Sequence, residues 1–438
     1  MMDRRQFTGM LAGALAGASL PNLPASSRRN SRAPNLNAAR LNAHLKELSA
    51  FGANPQGGVS RVAYSDFDRA GRAYAMGLMG AASLDVSVDF AGNIFGKRPG
   101  TDSSLKPIIF GSHIDSVPEG GNYDGTLGSL SAIEVAQSLA EQKIRTRHPL
   151  EIVIWANEEG GLYGSRAVSG QLTAPELSNR AWSGKTIEEG IAFVGGTPAR
   201  LAEVRRQRGD IATYLELHIE QGGNLEREGL NIGVVEGIVG IKQWDVTVTG
   251  FQNHAGTTPM DRRQDALLAA ARFVEMVNRV VRSEPGRQVG TVGRIQAFPG
   301  APNVIPGRVV CSLELRDLDA AKIDRLYWVV VAEAAKIGEA SGATFEYRSL
   351  HENVPAPSDP AVRELIDQSA KTLGYTTRHM PSGAGHDAQA MAQLGPMGMI
   401  FIPSIGGISH SPKEFSTVED IARGALVLMG SVLLADKR

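Results

Sequence analysis

One cysteine in 438 residues is the first thing this chain is short of. Cys311 has no partner, so no intrachain disulfide holds the fold, and its place in the strand-like run RVVCSLELR marks a core residue before a nucleophile. Net charge is nearly missing as well. Lysine and arginine number 45 against 46 aspartate and glutamate, a balance of −1 that offers little to a nucleic acid or an anionic membrane surface. A small molecule is the expected partner. The chain also lacks internal repeats, low-complexity tracts and coiled-coil heptads. What it has is ordinary globular composition, 42% hydrophobic and 21% charged, at a length that accommodates two domains, which excludes a disordered or fibrous protein.

The N-terminus differs in kind. Arg4-Arg5-Gln6-Phe7 precedes MLAGALAGASL, an apolar stretch shorter than the roughly 20 residues of a membrane-spanning helix. A basic segment before a short apolar one is the pattern of an export signal, and the paired arginines look like a twin-arginine signal, a route for proteins already folded. Residues 1–30 are therefore expected to direct the chain to the periplasm without stable membrane insertion; if the signal is not used, the protein stays cytoplasmic. Pro24-Ala25-Ser26-Ser27 matches a processing site loosely.

Beyond it, Leu36, Leu41, Leu45 and Leu48 have helical spacing, Asp66 to Met79 reads as a second helix, and Leu84 to Val88 alternates as a strand. Apolar runs then recur between helical ones: Pro107 to Phe110, ended by Gly111, Leu150 to Trp155, Tyr214 to His218, and Met399 to Ile402. Continuous apolar runs mean strands buried on both faces, so the expected fold is α/β, a mixed sheet with helices on both sides. From about Gly237 the pattern changes. Strands at Trp244 to Val248, Gly290 to Phe298, Asn303 to Arg316 and Thr344 to Leu350, with helices at Arg262 to Val281 and Ala320 to Ala340, predict a compact α+β insert of ferredoxin-like size. Pro355-Ala356-Pro357 reads as a linker. The expected organisation is a catalytic domain in two pieces, 31–236 and 355–438, interrupted by a smaller domain at 237–354.

Polar chemistry gathers where the apolar strands end. GSHIDSVPEGGNYDG runs from Gly111 to Gly125; His113 and Asp115, two apart, would leave the same face of an extended chain, letting Asp115 orient the ring of a ligating His113. Asp124 follows a turn-rich segment, and Gly125 opens a helix-like run. After Trp155 come Glu158 and Glu159, adjacent carboxylates that repel when buried unless a metal intervenes. Neighbours in extended chain point opposite ways, so Glu159 can ligate while Glu158 acts as general base. ELHIEQG brings His218, Glu220 and Gln221 to a third strand end, and IGGISHSP carries His410 after a fourth strand. Each of these alone also reads as a solvated loop or a satisfied core histidine. Together they point to a metal centre, and mixed histidine and carboxylate donors suit zinc, manganese or cobalt better than calcium.

Taken in order, GSHIDSVPEGGNYDG, NEEG, ELHIEQG, NHAGTTPMDRR, PNVIPGRVVCSLELRD, SGAGHDA and ISHSP resemble the motifs of the zinc aminoacylase and carboxypeptidase superfamily, most closely its hydantoinase/carbamoylase amidase family. The likeness covers nearly everything from Leu36 onward. It implies a zinc-exopeptidase-like catalytic domain whose ferredoxin-like insert serves as lid and dimerisation domain of a homodimer. It implies two divalent metal ions, zinc before manganese or cobalt: one held by His113, Asp124 and His218, the other by Asp124, Glu159 and His410. Asp124 would bridge them, with Glu158 as general base and Asp115 behind His113. His254, reaching a neighbouring active site, would stabilise the oxyanion, a contribution of ~3 kcal/mol per donor. Arg316, whose planar fork suits a carboxylate, and Asn303 would bind the substrate α-carboxylate along with the Gly383, Ala384 and Gly385 backbone. Gln221 would contact the ureido group, and Gln243 is a further substrate candidate. His386 and Asp387 fall in a family motif and otherwise read as a helix cap, while Thr257-Thr258-Pro259 reads as a helix start. The short gap from Asp115 to Asp124, and His218 where the peptidases typically carry an acidic ligand, favour the carbamoylases.

The implied reaction is metal-assisted hydrolysis of an N-carbamoyl-L-amino acid to the amino acid, carbon dioxide and ammonia. Allantoate amidohydrolase, β-ureidopropionase and aminoacylase are alternatives on the same residues. An exported solute-binding protein and a metal-stabilised structural protein are alternatives of other classes. Glu158 beside five candidate ligands argues against simple capture, which needs no base.

Overall fold

Alternation inside the apolar strands builds two cores on one sheet. Along Ile108–His113, Ile108 and Phe110 face one side and Ile109 the other; along Leu150–Trp155, Ile152 and Ile154 oppose Val153 and Trp155. Helices Ala38–Leu48, Asp66–Ala81, Thr126–Glu141, Pro360–Thr372 and Val418–Ala435 pack on the first side, and Tyr163–Val168 and Asp387–Met391 on the second. Each Ile or Leu fully buried this way contributes roughly 2 kcal/mol. This computed structural model describes residues 35–438, so the export signal expected at residues 1–30 lies outside the described residues.

The sheet has nine strands, in the order Asp85–Val88, Ile94–Arg98, Leu150–Trp155, Ile108–His113, Thr213–Ile219, Met397–Ile402, Ile232–Ile238 and Ala356–Pro357, with Thr377–Ser382 also paired to Ile232–Ile238. Its four central strands, from Leu150–Trp155 to Met397–Ile402, run parallel to one another. The pairings outside them are antiparallel except for Thr377–Ser382. The sheet is therefore mixed, and the carboxyl ends of its central strands share one edge, the place where open α/β sheets carry their sites.

Two expectations about this sheet change. The strand at Ile108 does not stop at Gly111 but runs on to His113. Gly111 permits it: its φ is 155°, and a Cβ there would lie 1.9 Å from Val153 O on the next strand. Pro355-Ala356-Pro357 is not a free linker either, because Ala356 and Pro357 pair with Ile238 and Gly237 at the sheet margin.

A second, antiparallel sheet is built from Gly240–Thr249, Ile295–Phe298, Arg308–Asp317 and Thr344–Asn353, with Val289–Thr291 as a fifth strand where the sequence suggested four. Helices Ala266–Ser283 and Ala320–Ser341 pack against it and, with Val246, Phe273 and the buried Cys311, close a separate core. The first helix begins at Ala266 instead of Arg262, because Asp265 caps it by accepting the Leu267 and Leu268 N–H groups. Thr257-Thr258-Pro259 leads only into the single 3₁₀ turn Met260–Arg262.

One buried cation ties the end of helix Ala38–Leu48 to the segment after His113 and to the start of helix Thr126–Glu141. Arg61, 1% exposed, donates from Nε to Ile114 O (2.7 Å), from Nη1 to Leu48 O and Phe51 O (2.9 Å each), and from Nη2 to Thr126 Oγ1 (3.1 Å). Burial pulls its pKa down to about 10, which leaves it charged at neutral pH. Arg61→Met is expected to strand these carbonyls and to lower the unfolding free energy by about 3 kcal/mol, read as a lower urea midpoint.

Candidate metal centre

Four strands deliver one polar cluster. His113 closes Ile108–His113, His218 lies near the end of Thr213–Ile219, Glu158 and Glu159 follow Leu150–Trp155, and His410 follows Met397–Ile402. Asp124, just before helix Thr126–Glu141, meets all three histidines. Its Oδ1 is 3.1 Å from His218 Nε2 and 3.6 Å from His113 Nε2, and its Oδ2 is 3.3 Å from His410 Nε2. His410 Nε2 is also 3.5 Å from Glu159 Oε2. Each Asp124 oxygen thus faces a different group of side chains.

Backbone carbonyls orient the rings. His113 Nδ1 lies 3.0 Å from Asp115 O and His218 Nδ1 2.9 Å from Ile219 O; an N–H on Nδ1 in both leaves the Nε2 lone pair aimed at Asp124. This corrects the part expected of Asp115. Its carboxylate stays 3.8 Å from His113 Nδ1 and instead accepts the N–H groups of Glu158 (3.3 Å) and Glu159 (3.2 Å). Strand alternation does not separate those two glutamates: the strand ends at Trp155, and the chain bends through Asn157 at φ 53°. Glu158 Oε2 comes 3.7 Å from His113 Nε2. Gly125 lies directly against the His113 ring, at φ 61°, where a Cβ would sit 2.2 Å from Nε2.

The donors fit a cation. His113, Asp124 and His218 offer ligand atoms within 4.8 Å of one another, and so do Asp124, Glu159 and His410. His113 Nε2 and Glu159 Oε1 are buried with no hydrogen-bond partner, a costly state that coordination relieves. Burial pushes the Glu158 carboxyl well above the carboxylate range, and burial with Asp124 pushes Glu159 to about 7. The Asp124 carboxylate pulls His410 up to about 9. Burial alone would raise Asp124, yet His218, His113 and His410 hold it well below its usual range. The cluster draws protons where positive charge is missing, and its mixed nitrogen and carboxylate donors suit a divalent ion such as zinc, manganese or cobalt.

A third group, Glu216, His218 and His386, is equally close but is already satisfied. Glu216 accepts from Ser112, Tyr214 and the Ala388 N–H, and His386 Nε2 meets Ser382 Oγ at 2.9 Å. That contact also corrects the capping role considered for His386, whose side chain makes no bond to the helix it precedes.

A cavity of about 870 Å³ opens over the cluster, lined by Asp124, Glu158, Glu159, Gln221, Ala384, Gly385 and His410 among others. Gln221 donates to Asp124 Oδ2 (2.7 Å), which leaves its buried carbonyl oxygen free. Five residues expected to touch substrate, Gln243, His254, Asn303, Arg316 and Gly383, do not line this cavity. Arg316 donates to Gly383 O (2.7 Å) and Glu314 (2.6 Å), Gln243 donates to Glu314, and His254 is exposed, its Nδ1 accepting the Gly256 N–H. Nothing in the sequence marked Arg166, Gln389 and Gln393 in the cavity wall, or Glu414 beneath Asp124. Only the nearness of Glu414 to ISHSP could have drawn notice.

A cation-ready cluster with a spare carboxylate, at the carboxyl edge of a mixed α/β sheet, is suited to metal-assisted hydrolysis. A family model, Peptidase family M20/M25/M40, matches residues 109–433, and the chain belongs to that family. It is similar to N-carbamoyl-L-amino acid amidohydrolase of Geobacillus stearothermophilus, 39% identical over 90% of this chain and 97% of that one. Allantoate amidohydrolase of Escherichia coli (strain K12) is 33% identical over 88% of this chain and 94% of its own. Among solved structures, an amidase of the hydantoinase/carbamoylase family from Burkholderia multivorans superposes with a TM-score of 0.86 at 38% identity, covering 92% of this chain and 99% of that one.

Asp124→Asn and Gly125→Ala are each expected to weaken divalent-metal binding at least about tenfold. The first removes the shared charge and the second displaces His113. Metal content per chain, measured by mass spectrometry after dialysis, checks both.

Proposed function

We propose that this amidohydrolase cleaves the ureido C–N bond of N-carbamoyl-L-amino acids, releasing the amino acid, carbon dioxide and ammonia. The observation that carries the reading is Asp124 between two histidine groups with Glu158 on the same cavity wall. The substrate class is supported by the relative that matches over 90% of the chain. Two divalent ions would be held by His113, Asp124 and His218 and by Asp124, Glu159 and His410. When bound they supply Lewis acidity, lowering the pKa of a water molecule and polarising the carbonyl. Glu158 belongs to neither ligand set; it takes the proton of the attacking water and returns it to the leaving amino nitrogen. The water oxygen joins the ureido carbon, the bond to the amino nitrogen breaks, and the carbamate decomposes to carbon dioxide and ammonia. The free carbonyl oxygen of Gln221 accepts a ureido N–H.

The remaining binding groups argue for a second subunit. Helices Ala266–Ser283 and Ala320–Ser341 leave Leu267, Leu268, Trp328 and Val329 between 40% and 65% exposed, apolar surface that supports a homodimer. In that dimer the second sheet and its helices serve as the lid, Asn303 and Arg316 clamp the α-carboxylate with the Gly383 to Gly385 backbone, Gln243 is a further substrate contact, and His254 of the partner subunit faces the oxyanion. Trp328→Glu is expected to give a monomer by light scattering, with kcat reduced more than about tenfold, as for loss of one oxyanion donor, and with metal content unchanged. A variant that stays dimeric removes this surface from the interface.

A second reading has its own observation. Arg166, Gln389 and Gln393 give the cavity a polar wall that suits a polar substituent, which favours allantoate. N-carbamoyl-L-amino acids, allantoate, N-carbamoyl-β-alanine and N-acetyl amino acids, assayed with zinc, manganese or cobalt, separate the readings. Release of ammonia or amino acid from none of them ends the proposal. Glu158→Gln is expected to lower kcat by roughly 10²–10⁴-fold while metal stays bound; wild-type turnover would remove Glu158 as the base.

A further inference from the structure

Glu414 is 4% exposed and belongs to neither candidate ligand set. Its Oε1 accepts the N–H of Tyr123 (2.9 Å) and the N–H of Asp124 (3.0 Å), and its Oε2 lies 3.0 Å from Ser409 Oγ. Ser409 Oγ in turn lies 2.9 Å from Asp124 Oδ2. Glu414 therefore holds Asp124 directly at the backbone, and the single proton of the Ser409 hydroxyl is shared between the Glu414 and Asp124 carboxylates. In doing so it joins two loops 290 positions apart, one carrying Asp124 and the other His410.

The surrounding chain is shaped to this contact. A Cβ on Gly121 would fall 2.1 Å from Glu414 Oε1, so the carboxylate lies directly on that backbone. The rings of Tyr123 and Phe415, next to the two loops' contact, meet edge-on at 5.9 Å between centroids. His410 sits at φ 52°, a state a non-glycine residue keeps only when its loop is held. Without Glu414, two N–H groups at the candidate shared ligand lose their acceptor.

We propose that Glu414 is a positioning residue for the metal centre, holding Asp124 within reach of both histidine groups through the placement of its two oxygens and not through its charge. The proposal rests on the reading of Asp124 as the shared ligand. Glutamine keeps the reach: its Oε1 can accept both N–H groups, and its Nε2 can donate to Ser409 Oγ, which then donates to Asp124. Aspartate keeps the charge and retracts the oxygens by one methylene.

The test is competition of wild type, Glu414→Gln and Glu414→Asp against a chromogenic chelator for Zn²⁺, with thermal unfolding of the chelator-stripped proteins alongside. Glu414→Asp is expected to bind Zn²⁺ about 10- to 100-fold more weakly and Glu414→Gln within about threefold of wild type, the range found when a group supporting a ligand is lost or kept. The stripped proteins are expected to unfold at similar temperatures. Wild-type affinity in Glu414→Asp, or equal weakening in both variants, overturns the geometric role. A loss of affinity accompanied by early unfolding of stripped Glu414→Asp makes Glu414 a residue of the fold and also overturns it. Wild-type protein that binds no Zn²⁺ overturns the reading of Asp124 itself, a result separate from any failure of Glu414.

Discussion

The carboxylate of Asp124 is buried, and its oxygens face histidine nitrogens, those of His113 and His218 borne by two strands and that of His410 by the loop after a third. With Nδ1 of His113 and of His218 turned to backbone carbonyls, the Nε2 lone pairs converge on this carboxylate, an arrangement completed by a cation between them. Glu158 and Glu159 are buried in the same place, and ionising them there adds charge of the wrong sign, which burial resists. No rearrangement of hydrogen bonds neutralises that set, because carboxylates only accept and His113 Nε2 already lacks a partner. A divalent cation meets the requirement that bound protons meet in its absence, since Glu158, Glu159 and His410 all hold their protons to higher pH than they would in water. Much of the fold around the cluster is explained by the need to hold these groups close while they are still uncompensated.

The sheet meets that need by direction. Four parallel neighbours end on one edge, so groups far apart in sequence arrive together without long loops. Alternate side chains of each strand anchor it in opposite cores, as Phe110 and Ile109 do, which leaves the strand ends little freedom to slide. Gly111 lets the strand carry His113 to that edge past Val153, and Gly125 lets the helix behind Asp124 start against the His113 ring. Both glycines are there for close approach.

Much of this was legible in the sequence because buried parallel strands are continuous apolar runs, and because polar residues directly after such runs have few places to go. Ile108, Leu150, Thr213 and Met397 begin strands that the apolar pattern found to within two residues. Boundaries set by a single side chain were not legible: Asp265 caps a helix that periodicity began at Arg262. Nor were residues that act across the chain. Glu414 and Arg61 look like ordinary charges, and only tertiary structure places one under Asp124 and the other behind Ile114. Gln243, His254, Asn303 and Arg316, which were expected at the site, lie outside the cavity because the second sheet and its loops hold them away from its wall.

The part played by Asp115 shows how the site keeps its shape. Spacing suggested a carboxylate touching its neighbour two residues away, but that ring is held by a backbone carbonyl, and the carboxylate captures the N–H groups of Glu158 and Glu159. Glu414 does the same for Tyr123 and Asp124, and Glu220 for Asn224 and Leu225 at 2.8 Å each. In all three cases a buried acid binds two consecutive N–H groups near the cluster, in a loop for Asp115 and Glu414 and in the first turn of helix Asn224–Glu228 for Glu220. A carboxylate is suited to this because it has acceptor sites to spare and no donor that would compete. Two bonds to successive peptide units fix the direction of the chain as well as its distance. The side chains that project into the cavity are aimed by loops whose backbones are held from below, so the adjacent residues Glu158 and Glu159 can point to different tasks.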